Sequence, residues 1–439
     1  MAPGTVHDIV TDDAHDRDSS NEWLPVPDTA TLLRNRSVRA FLFSVTAMTV
    51  ATMAQQVALG VQVFQITGRE IDLGLLGLAE FLPVAVLAPV AGALADRFDR
   101  RIVMGAGLLG EAMSSLTLAV LAWRGVDSIG PILIVVVVFG VFRALTAPAA
   151  RALPATLVPP NALPKVVPLF SASWQVGGIL GPIIGGVLYS VSTALPFLIV
   201  TALMLVGLVL LPIVRIDPSA AGRLERGAPR PGMGDALDGL RFIRRRPLLL
   251  GAISLDLFAV LFGGAIALLP AIADERLGVG STGLGWLRAA VGIGAATTTV
   301  VLAARPVGRH VGLKLLFVVA IFGLATMVLG LTTMYAVAFI ALLIGSAADA
   351  VSVNIRATLV PLITPDEYRG RVLAVENVFI GASNELGAFE SGVAGQILGA
   401  AGAVFFGGAA TIGVVGVWWV AFPSLRKVDR FVDVIPPDG

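Results

Sequence analysis

The sequence contains no cysteine, which excludes disulfides, thiol catalysis and any cysteine-held metal. It has only three histidines, His7, His15 and His310. All three sit in polar stretches, so no metal-binding or catalytic histidine cluster forms within one apolar segment. No Gly-rich phosphate loop of the Gly-Lys-Ser/Thr type is present, so ATP is not the expected energy source. No Ser–His–Asp set is credible with histidines placed this way, and neither enzyme activity, cofactor nor metal is expected. Charged residues make up only 14% of the chain, against about a quarter in soluble domains. What fills the space is apolar: 56% hydrophobic residues and a mean hydropathy of +0.87. The solvent for such a surface is lipid. The net charge of +1 gives no reason to expect a nucleic-acid partner, and no obligatory protein partner is evident.

A spanning helix needs about 20 predominantly apolar residues. That ruler gives twelve spans, near 39–65, 71–95, 102–123, 130–150, 166–190 and 194–214, then 248–272, 282–303, 311–332, 335–355, 372–397 and 401–422. Residues 1–36, rich in Asp and lacking an apolar core with a cleavage site, read as a disordered tail and not a signal peptide. The expected organisation is a six-helix bundle over 37–215, a central loop over 216–247, a second bundle over 248–424 and a tail over 425–439.

Lys and Arg alternate between loops. One set carries Arg97, Arg100, Arg101, Arg151, Lys165, the run from Arg215 to Arg246, Arg305, Arg309, Lys314, Arg369 and Arg371, and both ends of the chain belong to it. The other set holds only Arg69, Arg124 and Arg276. By the positive-inside rule both termini and the central loop are expected to be cytoplasmic, in a multi-pass protein of the inner (plasma) membrane.

The chain also repeats itself. Ala155-Thr156-Leu157-Val158-Pro159 returns as Ala357-Thr358-Leu359-Val360-Pro361. Each copy follows the fourth span of its half and leads into a Gly-rich fifth. Duplication implies two like-oriented six-helix bundles related by a pseudo-twofold axis along the membrane normal. The expected fold is therefore all-α integral membrane, with twelve helices in two bundles.

The loop Gly92-Ala-Leu-Ala-Asp96-Arg97-Phe-Asp99-Arg100-Arg101 resembles the signature between spans 2 and 3 of the major facilitator superfamily, departing from it at Asp99, where the pattern has glycine. The stretches Ala147–Pro159, Asp235–Pro247, Asp256–Gly263 with Leu269-Pro270, and Thr364–Arg371 resemble one branch of it, which contains the enterobactin exporter and macrolide and multidrug exporters. The resemblance implies a secondary transporter. It also implies a gating role for Gly92, Asp96, Arg97, Arg100 and Arg101, with Asp96 facing the start of span 11. The bland alternative for the arginines is topology alone. Gly177, Gly181, Pro182, Gly185 and Gly186 resemble the superfamily's antiporter motif, whose plain alternative is close helix packing. Arg143 resembles the arginine of a proton-coupling motif, although Ala147 replaces its expected glycine.

Ionisable residues within a span are functional candidates by default. Asp256, Glu111 and Glu385 are the candidate proton-coupling groups. The alternatives are a structural partner for Asp256, such as Arg288 or a serine, and pairing of Glu80 or Glu111 with Arg143. Asp349, with Asn354 and Arg356, reads as a gate cluster. Asn377, Asn384 and Ser391 recur every seven residues beside Glu376 and Glu390, and Gln55 and Gln62 do so in span 1 beside Gln56. Gln55, Gln62, Asn377, Asn384 and Glu390 are the expected cavity residues; interhelical hydrogen bonding is the plain alternative. Thr364-Pro365-Asp366-Glu367 reads as a capped start of a short helix before span 11. Asp235 reads as the cap of a basic amphipathic helix suited to the inner leaflet or to topology alone. The expected function is proton-driven efflux of a small amphipathic molecule, drug or siderophore, by alternating access. The partners are that substrate, protons and the bilayer. An importer of the same fold, or a flippase for a lipid-like substrate, is the alternative.

Overall fold

The computed structural model describes residues 28–216 and 233–434, apart from the side chains of 95, 96, 160 and 233–236. The first bundle comprises span 1 (Arg36–Thr67), span 2 (Glu70–Arg97), span 3 (Arg100–Trp123), span 4 (Ile129–Ala152), span 5 (Leu163–Val191) and span 6 (Leu195–Leu210). The second begins with span 7 (Pro247–Phe262) and continues through span 8 (Gly280–Ala304), span 9 (Val311–Leu331) and span 10 (Tyr335–Ile363). The helix Asp366–Ala421 is two helices run together, because Gly399 alone adopts non-helical angles (φ 71°, ψ 157°) that favour glycine. Residues 366–398 form span 11 and 400–421 span 12, which completes the twelve.

Local chemistry sets the helix ends. The Asn35 side chain accepts from the Ser37 amide at the start of span 1. Gly68, at φ 59°, ends that span with its amide on the Phe64 carbonyl. Span 7 is shorter than the apolar run that encodes it. It stops at the pair Gly263-Gly264 and continues as a 3₁₀ turn (Ala265–Leu268) and a wide turn (Ile272–Arg276). The break falls about midway along the apolar run Pro247–Arg276, and within a bilayer such irregular backbone is tolerated only against protein or a water-filled cavity.

Two expectations about segments outside the bundles are corrected. Thr29–Arg34 is helical instead of disordered, because Asp28 accepts from the Thr29 amide at 2.7 Å and Leu32 is buried; residues 1–27 lie outside the described residues. Thr364 is not a cap. Its hydroxyl turns back onto the Val360 carbonyl at 2.7 Å, and the helix that starts at Asp366 runs without interruption into span 11. The side chain of Asp235 lies outside the described residues. The helix Met233–Arg245 that contains it packs on span 11: Phe242 stacks on Tyr368 at 4.6 Å and Ile243 is buried. Its apolar face is thus taken by protein, while Leu237 and Arg241 face outward.

The packing is uneven along the membrane normal. At the end away from the termini, one apolar core crosses both bundles: Val57, Leu59 and Phe64 of span 1 join Leu73, Phe197, Leu269, Ile272, Leu284 and Leu287. At the end near the termini each bundle has its own core, one around Phe41, Met104, Phe139 and Leu153, the other around Leu255, Leu315, Ile355 and Leu359. Small residues close the far end. A Cβ on Gly392 would lie 2.9 Å from the Gly74 Cα, and one on Gly285 would lie 2.5 Å from the Pro182 carbonyl oxygen. Large apolar side chains such as Phe43, Ile102, Trp123, Val209, Ile397 and Val420 are exposed around the outside, as a lipid-facing surface requires.

Gly392→Val and Gly285→Val each put methyl groups into this seam. Overpacking costs about 1–3 kcal/mol, which corresponds to a fall of roughly 5- to 150-fold in the far-side-closed population. The lack of native cysteine makes Leu73→Cys, on the cavity wall near that end, a clean reporter. An impermeant maleimide added on the side away from the termini is expected to label it faster in both glycine variants. Unchanged labelling would show that the seam does not gate the far side.

Candidate functional site

A cavity of about 570 Å³ lies between the bundles, within the size range of small-molecule sites. Spans 1, 2, 3, 4 and 5 face spans 7, 8, 9, 10 and 11 across it. Its apolar wall includes Leu59, Leu73, Leu76, Phe81, Trp174, Val260 and Phe322. Its polar groups are Gln56, Glu80, Glu111, Arg143, Arg151, Arg288, Asp349, Asn384 and Glu385.

The charges divide into paired and unpaired. Glu80 is held by Arg143 at 2.9 Å, which is the plain pairing weighed from the sequence. Glu111, Asp349 and Glu385 have no cation within ion-pair distance among the described residues. The Glu111 Oε1 is buried without a hydrogen-bond partner, and the Thr146 hydroxyl neighbours its carboxyl.

Several expected site residues fall elsewhere. Asp256 does not line the cavity. It is buried and takes a 2.6 Å hydrogen bond from the Arg356 Nη2, with Glu376 4.0 Å from the same guanidinium. Its partner is thus neither Arg288 nor a serine, and its geometry is that of a helix-to-helix tie. Arg356 consequently does not join Asp349 in a gate cluster; Asn354 is exposed and Asp349 faces the cavity. Gln55 accepts from Ser115 inside the first bundle at 2.5 Å, and Gln62 is buried outside the cavity wall. The cavity glutamine is Gln56, one residue and about 100° around the helix from Gln55. Asn377 is exposed with its amide on the Leu373 carbonyl, and Glu390 lies off the cavity wall, whereas Asn384 and Glu385 line it. The glycine stripe of span 5 serves two contacts. Gly177, Gly181 and Gly185 lie on Thr49, Val50 and Ala54 of span 1, while Pro182 and Gly186 lie on Gly285 and Ser281 of span 8.

The described hydrogen bonds of Arg100 and Arg101 stay within the first bundle. Arg100 donates to the Ala152 carbonyl at 3.0 Å and Arg101 to the Val214 carbonyl at 2.8 Å, so each cation satisfies carbonyls near the end of a span. Asp99 caps span 3, accepting from the Arg101 amide at 2.9 Å and from its Nη2 at 2.6 Å. This explains an aspartate where the pattern has glycine. Arg97 lies over the Phe98 ring and Gly92 borders open space; the Asp96 side chain lies outside the described residues.

The side-chain hydrogen bond from Arg101 holds the Asp99 carboxyl below its usual range. A depressed folded-state pKa contributes stability above the ordinary value of 3.8, lost as pH falls through the folded-state value. Asp99→Ala is expected to cost about 1 kcal/mol at pH 7 and less near pH 3, below the ordinary value of 3.8. Thermal midpoints of the purified protein at the two pH values check it.

Arg288 escaped the sequence reading as a cavity residue, although an arginine eight residues into an apolar span was the available signal.

Twin helical bundles enclosing a polar-studded cavity, shut at one end, define a multi-pass membrane transporter. The Major Facilitator Superfamily model matches residues 37–388, and the chain belongs to that superfamily. The uncharacterized MFS-type transporter YfiS of Bacillus subtilis is 27% identical over 76% of this chain and 81% of its own. The multidrug efflux pump Tap of Mycolicibacterium fortuitum is 26% identical over 84% and 91%. Macrolide efflux protein A of Streptococcus pyogenes is 32% identical over 28% and 31%. Among solved structures, a bacterial homolog of the human lysosomal transporter Spinster, inward-facing and occupied, gives a TM-score of 0.68 at 17% identity, covering 91% of this chain and 98% of that one. A POT family transporter in complex with 5-aminolevulinic acid gives 0.71 at 12%, covering 90% and 97%. These likenesses are to the fold.

Proposed function

We propose that this transporter is a proton-driven exporter of small amphipathic molecules, drugs ahead of siderophores, working by alternating access. The observation that carries the reading is the cavity itself. It is apolar enough for amphipathic cargo, and it holds Glu111, Asp349 and Glu385 without a cationic partner among the described residues. A carboxylate there either binds a proton or stands opposite a substrate cation, and that competition is what proton antiport requires. The efflux relatives support the direction, as does the glycine stripe of span 5.

The charge bias of the loops supports a cytoplasmic location for both termini in the plasma membrane. The separate cores then lie at the cytoplasmic side and the shared core at the outer side, and the structure is inward-open. The gating role that the resemblance implies for the signature loop would belong to the state closed on the cytoplasmic side, and the described hydrogen bonds of Arg100 and Arg101 within the first bundle are compatible with that reading.

The test is accumulation of a fluorescent drug and of a catecholate siderophore in expressing cells, with and without a protonophore. Lower accumulation of either, abolished by the protonophore, is expected. Raised accumulation on expression would turn the reading to import. No effect on either compound would leave a transporter of some other cargo.

A further inference from the structure

Arg288 stands apart from the other arginines buried within the spans. Arg143 is neutralised by Glu80 at 2.9 Å, and Arg356 by Asp256 at 2.6 Å. Arg288 has no carboxylate within ion-pair distance among the described residues. Its one described bond is a long one, 3.4 Å from Nη2 to the Ile266 carbonyl, and its Nε is buried with no partner. Glu80 faces it electrostatically, from span 2, but is already engaged. An arginine at this depth is costly and normally paired. A guanidinium offers up to five donors in a planar fork that fits a carboxylate or phosphate. Arg288 lines the cavity, so an anion entering it meets donors that no described carboxylate pairs.

The surroundings say more about the ligand. Ile266 belongs to the broken stretch after Gly263-Gly264, and that break opens a side pocket of about 80 Å³. The pocket is lined mainly by apolar groups, Phe322, Ala325 and Leu342 among them, with Asp349 at its junction with the main cavity. An anion seat, an apolar recess and an unpaired carboxylate therefore converge on the break in span 7.

Resting on the exporter reading above, we propose that the cargo is an amphipathic zwitterion. Its anionic group, carboxylate or phosphate, is seated on Arg288, its apolar substituent fills the side pocket, and its basic nitrogen faces the unpaired carboxylates. A purely anionic cargo would meet Asp349 and Glu385 as like charges. A purely cationic one would leave Arg288 without a partner. A zwitterion satisfies both, and its basic nitrogen takes the place that a proton holds on the return half of the cycle.

The experiment is calorimetric binding to the full-length protein in detergent. One probe pair is a fluoroquinolone with a free carboxyl and amine, against its methyl ester. The other is dioctanoyl phosphatidylethanolamine, against dioctanoylglycerol, which lacks the headgroup. These separate a drug from a lipid as the source of the same chemistry. Charge-assisted hydrogen bonds are worth about 1.5–3 kcal/mol, so wild type is expected to prefer at least one zwitterion over its partner about tenfold or more. Arg288→Gln is expected to erase that preference, by weakening the zwitterion relative to the ester or the glyceride. The wild-type comparison needs no variant to fold. Equal binding within both pairs, no binding of any probe, or a preference that survives Arg288→Gln overturns the proposal. Binding in detergent is independent of transport direction and energy source, so failure of the accumulation test leaves this result to be judged separately.

Discussion

Asp256→Asn is expected to destabilise the protein severely, by about 3–5 kcal/mol, because it strips a buried guanidinium of its counter-charge. The side chains of Asp256 and Arg356 are 7% and 4% exposed and meet at 2.6 Å, tying span 7 to span 10. Glu376 of span 11, 4.0 Å from Arg356, is too distant to replace the lost hydrogen bond, and the Arg356 Nε is already without a partner. In a protein of this size the loss corresponds to a fall in thermal midpoint on the order of 10 °C. The companion is Asp256→Asn with Arg356→Gln, which removes both charges and is expected to recover a large part of the loss. Thermal unfolding of the three purified proteins measures this. A single variant as stable as wild type that has lost proton-linked efflux would restore Asp256 to the role of proton carrier. A single variant that melts early while the double variant is rescued would fix it as a structural tie.

The difference between these two roles shows where sequence reading stops. The number of spans and the alternating charge of their loops are carried by local composition, and each is legible over twenty residues. A partner 100 positions away is not. Asp256 in an apolar run announces a cost, but Arg356 as its remedy depends on how spans 7 and 10 are rotated. Rotation likewise decides the glutamines. Seven-residue spacing puts Gln55 and Gln62 on one face without saying that this face turns inward to Ser115, leaving Gln56 to the cavity. The break in span 7 has a signal, the pair Gly263-Gly264, but glycine is common in membrane helices and hydropathy runs through it unchanged. Arg143 with Glu80 was readable because both lie in one bundle and one of them matched a known pattern. Arg288 matched none, and its importance lies in the partner it lacks, which only the assembled cavity reveals.

Neutralising the unpaired cavity carboxylates is expected to abolish concentrative transport altogether. One proton crossing 100 mV supplies about 2.3 kcal/mol, enough to sustain a cargo gradient of roughly 50-fold. A carrier that no longer exchanges a proton for cargo sustains none. Glu111→Gln is the first variant to make. Glu111 lies within the first bundle's polar network beside Thr146 and Arg143, with one oxygen free of hydrogen bonds, and glutamine keeps its shape while removing the titration. Glu385→Gln and Asp349→Asn are the matching changes on the opposite bundle. In cells expressing equal amounts at the membrane, protonophore-sensitive exclusion of the drug is expected to vanish in at least one of these three. Exchange of labelled for unlabelled cargo across vesicles, which needs no proton, is expected to persist there if the cargo's nitrogen rests on another of the three. That split separates loss of coupling from loss of the site. If all three variants exclude the drug as wild type does, the proton is carried by none of these groups, and the carrier must be sought elsewhere, Glu80 included. If one loses exclusion and exchange together, its carboxylate binds the cargo directly. That outcome is the one a zwitterion seated on Arg288 leads us to expect of Asp349, the carboxylate that borders both the cavity and the side pocket.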